Sequence, residues 1–448
     1  MTFGGARPTL TDMPTSTITL FEHERVPFPW DDHDLVRLVR LNDALGYEAL
    51  RLTVKGGQRV VQATQFVGVV RLGRHTIQVL PKIHAADAPK SEQVRQATDN
   101  LLHLLAEAGY VTVREHAVAP LHKRASDWFE ILTHLFATHL KDEWQRGAYR
   151  AYQAVDDDLG VLKGKWRVAE RARRPARDHR FDVTYDEFSA DNRLNRVFRY
   201  VVERLWRLSR DVANRRLLGE LRPWLDEVTL LPAMTAADAA PSLLTRLNQR
   251  YTPLLTLARL FLDDRALQLT AGDDSTFTFM FDMNALFEAL VVNLIRRHRE
   301  RILPAALAAC DLLPQSVGYA EYLAHDADGK RHFHLRPDLA FRVGQGFPLL
   351  LDTKYKTLVL TDPRLGVSQA DLYQMFAYAK VYACPRILLL YPQTAALPER
   401  LSRRLTFHGD HETVTVATLD IRRDLGKPAQ RTALIDELRR ILHEEPAA

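Results

Sequence analysis

The chain has 448 residues, more than one typical hydrophobic core accommodates, so two or three domains are expected. A hydrophobic content of 46% and a charged content of 26% are ordinary for a soluble globular protein. Lys and Arg outnumber Asp and Glu by 61 to 56, which permits a nucleic-acid partner without demanding one.

Only Cys310 and Cys384 are present, so a disulfide framework is not expected, and there is no Cys-x-x-Cys zinc pattern. The N-terminus lacks the basic and apolar regions of a signal peptide. No apolar run approaches the roughly 18 residues of a membrane span. A cytoplasmic protein with no membrane partner is expected.

Residues 1–16 show no periodicity and read as a flexible tail. From Thr17 to Leu80 the pattern is short and strand-like. Ile18–Phe21 leads, and Asp34–Leu45 reads as a short helix between strands. Leu50–Val54 and Arg59–Val61 flank a turn at Lys55-Gly56-Gly57, and Phe66–Leu72 pairs with Thr76–Leu80 as a second hairpin. The ladder closes at Leu80-Pro81-Lys82-Ile83. Residues 17–120 are thus expected to form a β-rich domain.

From Ser91 the hydrophobic period lengthens to about 3.6 residues, with Leu101, Leu102, Leu104 and Leu105 on one helix. Phe129, Leu132, Leu135 and Phe136 mark a second, with Ser126 or Asp127 as its N-cap. Residues 121–265 read as a helical, basic region. Its densest cationic stretch, Leu162–Arg180, includes Lys163, Lys165, Arg167, Arg171, Arg173, Arg174, Arg177 and Arg180. Arginine suits phosphate because its planar fork donates two parallel hydrogen bonds. Arg171, Arg173 and Arg174 are therefore candidate DNA contacts, against a competing reading as a solvated face. Val183–Arg196 reads as a strand followed by a capped helix, with Ser189 or Asp191 as cap and its acids structural. Residues 231–241 look like a connector. A helix from Ser242 to Leu262, dented by Pro253, follows, and Ala271–Asp274 makes the last turn before the C-terminal domain, residues 270–448.

Phe279 to about Arg299 is expected to be one long helix with Asp282 as N-cap. Glu288 shares a face with Ala285, Val291, Val292 and Ile295, and a carboxylate on an apolar stripe needs a partner. Leu339, Phe341 and Val343 mark a strand, a turn follows at Gly344–Pro348, and Leu349–Leu351 starts a buried strand. Side chains two apart on a strand share a face, so Asp352 and Lys354 point the same way. A hairpin-like return brings Asp338 beside them. Two converging carboxylates can hold Mg2+, and a neighbouring lysine can stabilise developing negative charge. Arg336 and Lys356 flank this group as candidate DNA contacts.

Ser368–Ala383 is helical in character and stacks Gln374 and Tyr378 four residues apart, where they can bond a phosphate or water or satisfy a strand edge. Arg386–Tyr391 reads as a buried strand and Thr413–Leu419 as an edge strand. The C-terminal domain is expected to be a mixed sheet covered by helices, giving an α+β multidomain protein. Two other chemistries score lower. Gly160–Trp166 has three residues rather than four between its glycines and lacks the Ser/Thr of a P-loop. His325, His332 and His334 evoke a zinc hydrolase, but a solvent-facing hairpin around Asp326–Lys330 explains them more simply.

The set Pro337-Asp338, Asp352-Thr353-Lys354, a preceding helical Glu288 and a following Gln374-x-x-x-Tyr378 resembles the PD-(D/E)xK nuclease core. Over almost its full length the chain also resembles McrC, the nuclease subunit of McrBC-type modification-dependent restriction systems. The residues that carry this are Gly68-Val69-Val70 to Ile83, Tyr185-Asp186-Glu187-Phe188 with Asp191–Arg196, Phe281-Asp282-Met283 with Leu286-Phe287-Glu288, and the triplet at Asp352. The resemblance implies a Mg2+-dependent DNA endonuclease, with Asp338, Asp352 and Glu288 at the metal and Lys354, Gln374 and Tyr378 as further catalytic residues. It also implies a hexameric AAA+ GTPase partner, stimulated by the N-terminal region, that reads the modified site. A non-catalytic activator of an NTPase motor and a stand-alone repair nuclease are the alternatives.

Overall fold

The computed structural model describes residues 17–72, 75–82, 89–113, 127–171, 180–262, 277–359, 362, 364–395, 397, 399–409 and 411–444. The tail 1–16, Ile83, Ser126, Arg173, Arg174, Arg177 and the turn at Ala271–Asp274 lie outside them. Two compact units emerge, one of Met1–Val113 with Arg265–Ala448 and one of Arg114–Asp264.

The first unit begins with β1 (Thr17–Phe21), β2 (Arg25–Pro27), α1 (Asp32–Leu45), β3 (Leu50–Lys55), β4 (Gln58–Ala63), β5 (Phe66–Leu72), β6 (His75–Leu80) and α2 (Lys90–Glu107). Asp31 caps α1 by accepting a bond from the Asp34 N–H, and Gly46 ends it in the left-handed region at φ 74°. Both expected hairpins form: β3 pairs with β4, and β5 with β6. Leu38, Leu41 and Leu45 of α1 pack with Val61, Val70, Ile77 and Val79, so one helix face closes this core.

The middle unit contains α3 (Trp128–Gln145), β7 (Ala151–Leu159), β8 (Lys165–Trp166), the short α4 (Val168–Arg171), β9 (Phe181–Ser189), α5 (Arg193–Leu208), α6 (Val212–Trp224) and α7 (Thr252–Leu262). Asp127 caps α3. Phe136 packs against Phe198 of α5 and Phe261 of α7, with ring centroids 6.5 and 5.9 Å apart. The region is not purely helical as expected, because β7, β9 and β8 form a three-stranded sheet. The first six residues of β7 alternate between half-buried and exposed, but Ala151-Tyr152-Gln153-Ala154-Val155 does not alternate apolar with polar, so the sequence carries no period-2 signal. The cap of α5 is Asn192, not Ser189 or Asp191, and it accepts from the Asn195 N–H at 3.1 Å. The expected helix 242–262 is two 3-10 turns, Pro241–Leu243 and Gln249–Tyr251, followed by α7. Pro253 therefore falls in the first turn, where its missing N–H costs nothing.

The chain then returns to the first unit through β10 (Phe277–Asp282), α8 (Met283–Arg297), α9 (Arg299–Ile302), β11 (Asp311–Pro314), β12 (Glu321–His325), β13 (Arg331–Leu335), β14 (Leu339–Val343), β15 (Gly346–Thr353), α10 (Gln369–Val381), β16 (Arg386–Pro392), β17 (Ser402–Thr406), β18 (Thr413–Leu419) and α11 (Pro428–His443). Phe279–Phe281 is strand, not helix; the helix starts one residue after Asp282, which does cap it. β10 joins the N-terminal sheet, whose order is β1-β6-β5-β10. This places residues 17–113 and the C-terminal segment in one unit rather than in separate domains. The junction needs a glycine: Gly68 has φ 139°, and a Cβ there would lie 1.9 Å from the Phe279 carbonyl oxygen. Asn293 of α8 also donates to the Ala108 carbonyl just after α2, at 2.6 Å.

A six-stranded mixed sheet, β11-β14-β15-β16-β18-β17, forms the second layer. Met375, Tyr378 and Ala379 of α10 pack onto Leu350, Ile387 and Leu389 of this sheet. The strand 413–419 is interior, with β17 outside it, and its buried run from Val416 to Leu419 reflects that.

Candidate active site

Register assembles the site. Leu339 of β14 lies opposite Leu351 of β15, so Asp338 falls beside the Asp352 end of the catalytic strand. The Asp338 Oδ2 accepts from the Thr353 N–H at 2.7 Å and the Thr353 hydroxyl at 2.6 Å. Asp352 is 2% exposed, and Lys354 Nζ lies 2.6 Å from its Oδ2. The strand continues past Thr353 with the Lys354 N–H donating to the Leu390 carbonyl at 2.9 Å, which fixes the lysine's backbone.

Glu288 sits on α8, half-buried, and its Oε1 accepts from Gln315 Nε2 at 2.8 Å. Gln315 and Ser316 both adopt left-handed backbone angles, φ 46° and 53°. Two consecutive non-glycine residues there store strain, and the turn is pinned by the Gln315 N–H on the Asp338 carbonyl and by Ser316 Oγ 3.0 Å from the Tyr382 hydroxyl. Gln315 carried no sequence signal, being one polar residue after a short strand.

Burial, then the neighbouring Asp338 charge, pushes both Glu288 and Asp352 up to about 7. Burial also raises Asp338. Burial works against the charge on Lys354, but Asp352, Asp338 and Asp371 more than offset it and hold that lysine above its ordinary value. Asp371 has Lys356 as a second cation, whereas Glu288, Asp338 and Asp352 all feel the one charge of Lys354 and are short of positive charge.

Among the described residues no three His, Cys, Asp or Glu side chains form a ready-made metal cage. Asp338 nonetheless raises Asp352 as a neighbouring charge, and two such carboxylates suit Mg2+, an ion that takes one or two carboxylates and keeps several waters. His332 instead bonds Asp326 at 2.8 Å, and His334 accepts from Arg336 Nε at 2.6 Å, so these histidines belong to the β12–β13 hairpin.

Gln374 and Tyr378 do not point at the carboxylates as free groups. Gln374 Nε2 donates to the Tyr378 hydroxyl at 2.7 Å, and that hydroxyl donates to the Arg336 carbonyl at 2.9 Å. The Tyr382 hydroxyl donates to the Leu335 carbonyl at 2.9 Å. Two tyrosines of α10 and its C-cap thus clamp the segment leading to Pro337-Asp338. Arg336 is exposed beside the site, and exposed Lys356 bonds Asp371 at 2.9 Å.

The basic stretch is largely engaged where it is described. Arg167 pairs with Asp156 at 2.8 Å, Arg180 with Asp158 at 2.9 Å, and Lys163 lies 3.5 Å from the Tyr185 ring centre. Arg171 ends α4; its side chain, like Arg173 and Arg174, lies outside the described residues.

Comparison with known proteins now adds to this geometry. No helix among the described residues is long and apolar enough to cross a membrane. No curated protein matches the chain. Among solved structures, it is similar to a chain of the refined half-complex from a tetradecameric assembly of Thermococcus gammatolerans McrB AAA+ hexamers with bound McrC, at TM-score 0.70 and 24% identity over 95% of this chain and 99% of that one. It is also similar to a chain of the cryo-EM structure of the Thermococcus gammatolerans McrBC complex, at TM-score 0.51 and 25% identity over 63% of this chain and 88% of that one. The family model for the McrBC 5-methylcytosine restriction system component matches residues 61–392. With that match spanning most of its length, the chain belongs to the McrBC family of restriction system components.

Proposed function

We propose that this chain is a Mg2+-dependent DNA endonuclease subunit with a PD-(D/E)xK core, which cuts DNA when assembled with an AAA+ GTPase motor that it stimulates. The observation that carries this reading is the convergence of Asp338, Asp352 and Lys354, with Glu288 electrostatically coupled to them. Asp338 and Asp352 are the residues that would hold the metal. When bound, Mg2+ would supply Lewis-acid polarisation of the phosphodiester and a lower pKa for attacking water. Lys354 carries a fixed positive charge at the point where negative charge develops during displacement. Glu288, near neutrality in its pKa, can take the proton of the attacking water as the water oxygen bonds phosphorus, while the P–O bond to the leaving oxygen breaks and that oxygen takes a proton from solvent. Tyr378 and Tyr382 hold the backbone before Asp338, so they position rather than react.

The motor partner is inferred from family membership and from the similar structure described as McrB AAA+ hexamers with bound McrC. The deciding experiment is cleavage of methylated and unmethylated plasmid by the full chain with its cognate AAA+ partner, with GTP and with or without Mg2+. Cutting that needs both the partner and Mg2+, and that Asp338→Ala abolishes, is the expected result. Undiminished cutting in Asp338→Ala would overturn it.

A further inference from the structure

A cleft of about 470 Å3 lies in the first unit beyond the end of β15. Glu22 and Lys82 reach it from the N-terminal sheet, Asn284 from the first turn of α8, and Tyr355 and Lys356 from the residues directly after Lys354. Asn284 is one helical turn before Glu288 and shares its face. The cleft therefore adjoins the carboxylate centre.

Its inner wall carries an unanswered group. Glu22 is 2% exposed, and its Oε2 accepts from the Lys82 N–H at 3.0 Å and from the Tyr355 hydroxyl at 2.9 Å. Its other oxygen, Oε1, is buried and has no hydrogen-bond partner among the described residues. A buried carboxylate oxygen left so is costly, and besides taking up a proton it can be relieved by a donor entering the cleft. At the outer wall, Lys82 is an exposed cation, and exposed Lys356 shares its ammonium with Asp371 at 2.9 Å. A purely anionic ligand would leave Oε1 unsatisfied, and an apolar one would serve neither end. What fits is a ligand with an anionic end and N–H donors at the other, with polar edges for the Asn284 amide. A nucleotide has this chemistry. The volume sits within the roughly 300–1,000 Å3 of small-molecule sites, room for one nucleotide and not for a duplex.

We propose that this cleft takes one nucleotide of the DNA strand next to the cut, its phosphate on Lys82 and Lys356 and its base N–H groups on Glu22 Oε1. The source of the nucleotide rests on the nuclease reading, since a free mononucleotide shares the same chemistry. The test uses the full chain carrying Asp352→Asn to prevent cutting, with a fluorescent single-stranded oligonucleotide, an abasic strand of equal length, and deoxynucleoside monophosphates as competitors.

Lys82→Gln should weaken binding of both strands and lower the salt slope by about one. Glu22→Gln, a near-isosteric change that preserves packing, should weaken the base-bearing strand about tenfold and leave the abasic strand unaffected. Equal binding by parent and both variants overturns the proposal, as does a monophosphate that competes as tightly as the strand. If the wild-type chain with its motor never cuts yet these binding differences appear, the nuclease reading falls and the cleft stands. If cutting occurs and the variants bind like the parent, the cleft assignment alone falls.

Discussion

One carboxylate of the middle unit and three of the first are treated in opposite ways. In the middle unit, Asp191 receives two bonds from Arg196, at 2.7 and 2.9 Å, and two from Thr229, at 2.9 and 2.6 Å. The Arg196 bonds, foremost, hold its carboxyl well below the usual range. In the first unit, Glu22, Glu288 and Asp352 are all pushed up to about 7, in each case chiefly by burial. Charges that are fully answered hold a fold together; charges left under-answered mark where chemistry or a ligand belongs. Arginine content alone therefore misleads here. Arg196 and Arg222 are spent on Asp191 and Glu203, and Arg199 on the Leu225 carbonyl, while the short basic supply around Asp352 is what distinguishes the site.

The sharpest break of this contrast is at the carboxylate centre. Lys354→Ala should lower cleavage by roughly 10²–10³-fold, the range for losing one preorganised charge-stabilising group, and lower the melting temperature as buried Asp352 loses its paired cation. Cleavage rates and melting curves on the same preparation check it; near-normal cutting would move the chemistry elsewhere. Glu22 gives the next largest effect, and its sign follows from linkage. Its folded pKa of about 7 lies above the ordinary 4.5, so the folded state holds the proton more tightly. The stabilisation is complete below the unfolded value and is lost as pH rises through about 7. Wild type should thus lose on the order of 3 kcal/mol between these limits relative to Glu22→Gln. Denaturant titrations of both proteins at several pH values measure this, and parallel curves would mean Glu22 is not held neutral.

A smaller loss is expected where a charge is already answered. Asp191→Ala should cost about 1–2 kcal/mol through the lost bonds to Arg196 and Thr229, without changing the pH dependence of cleavage. A shifted pH profile would show that the middle unit's charges do reach the site. Smallest is Tyr378→Phe, which removes the bond to the Arg336 carbonyl. It should cost about 1 kcal/mol and slow cleavage severalfold by loosening the approach to Asp338. If neither changes, Tyr382 alone holds that segment.

Much of the candidate site was legible because strand register is a local matter. Alternation from Leu339 to Val343 and the apolar run before Asp352 place Asp338, Asp352 and Lys354 together without knowledge of the rest. The Asp282 cap was legible for the same reason. What escaped depends on partners distant in sequence. β10 reads as the start of a helix because Phe279–Phe281 is continuous with an apolar helix; only pairing with β5 makes it strand. The interior place of 413–419 depends on β17 lying outside it. Gln315 and Glu22 gain meaning only from what the fold sets against them.

That late pairing also orders the assembly of the chain in time. Gly68 of β5 waits for Met280, its register partner on β10, while the whole middle unit is made in between. The middle unit can complete itself first, whereas the N-terminal sheet carries an open edge until synthesis passes Asp282. Closing so long a loop is entropically slow. Polypeptides halted before Asp282 should accumulate as aggregates, and refolding of the intact chain should show an early middle-unit phase followed by a slower closing of the sheet that carries α8 and Glu288 into place.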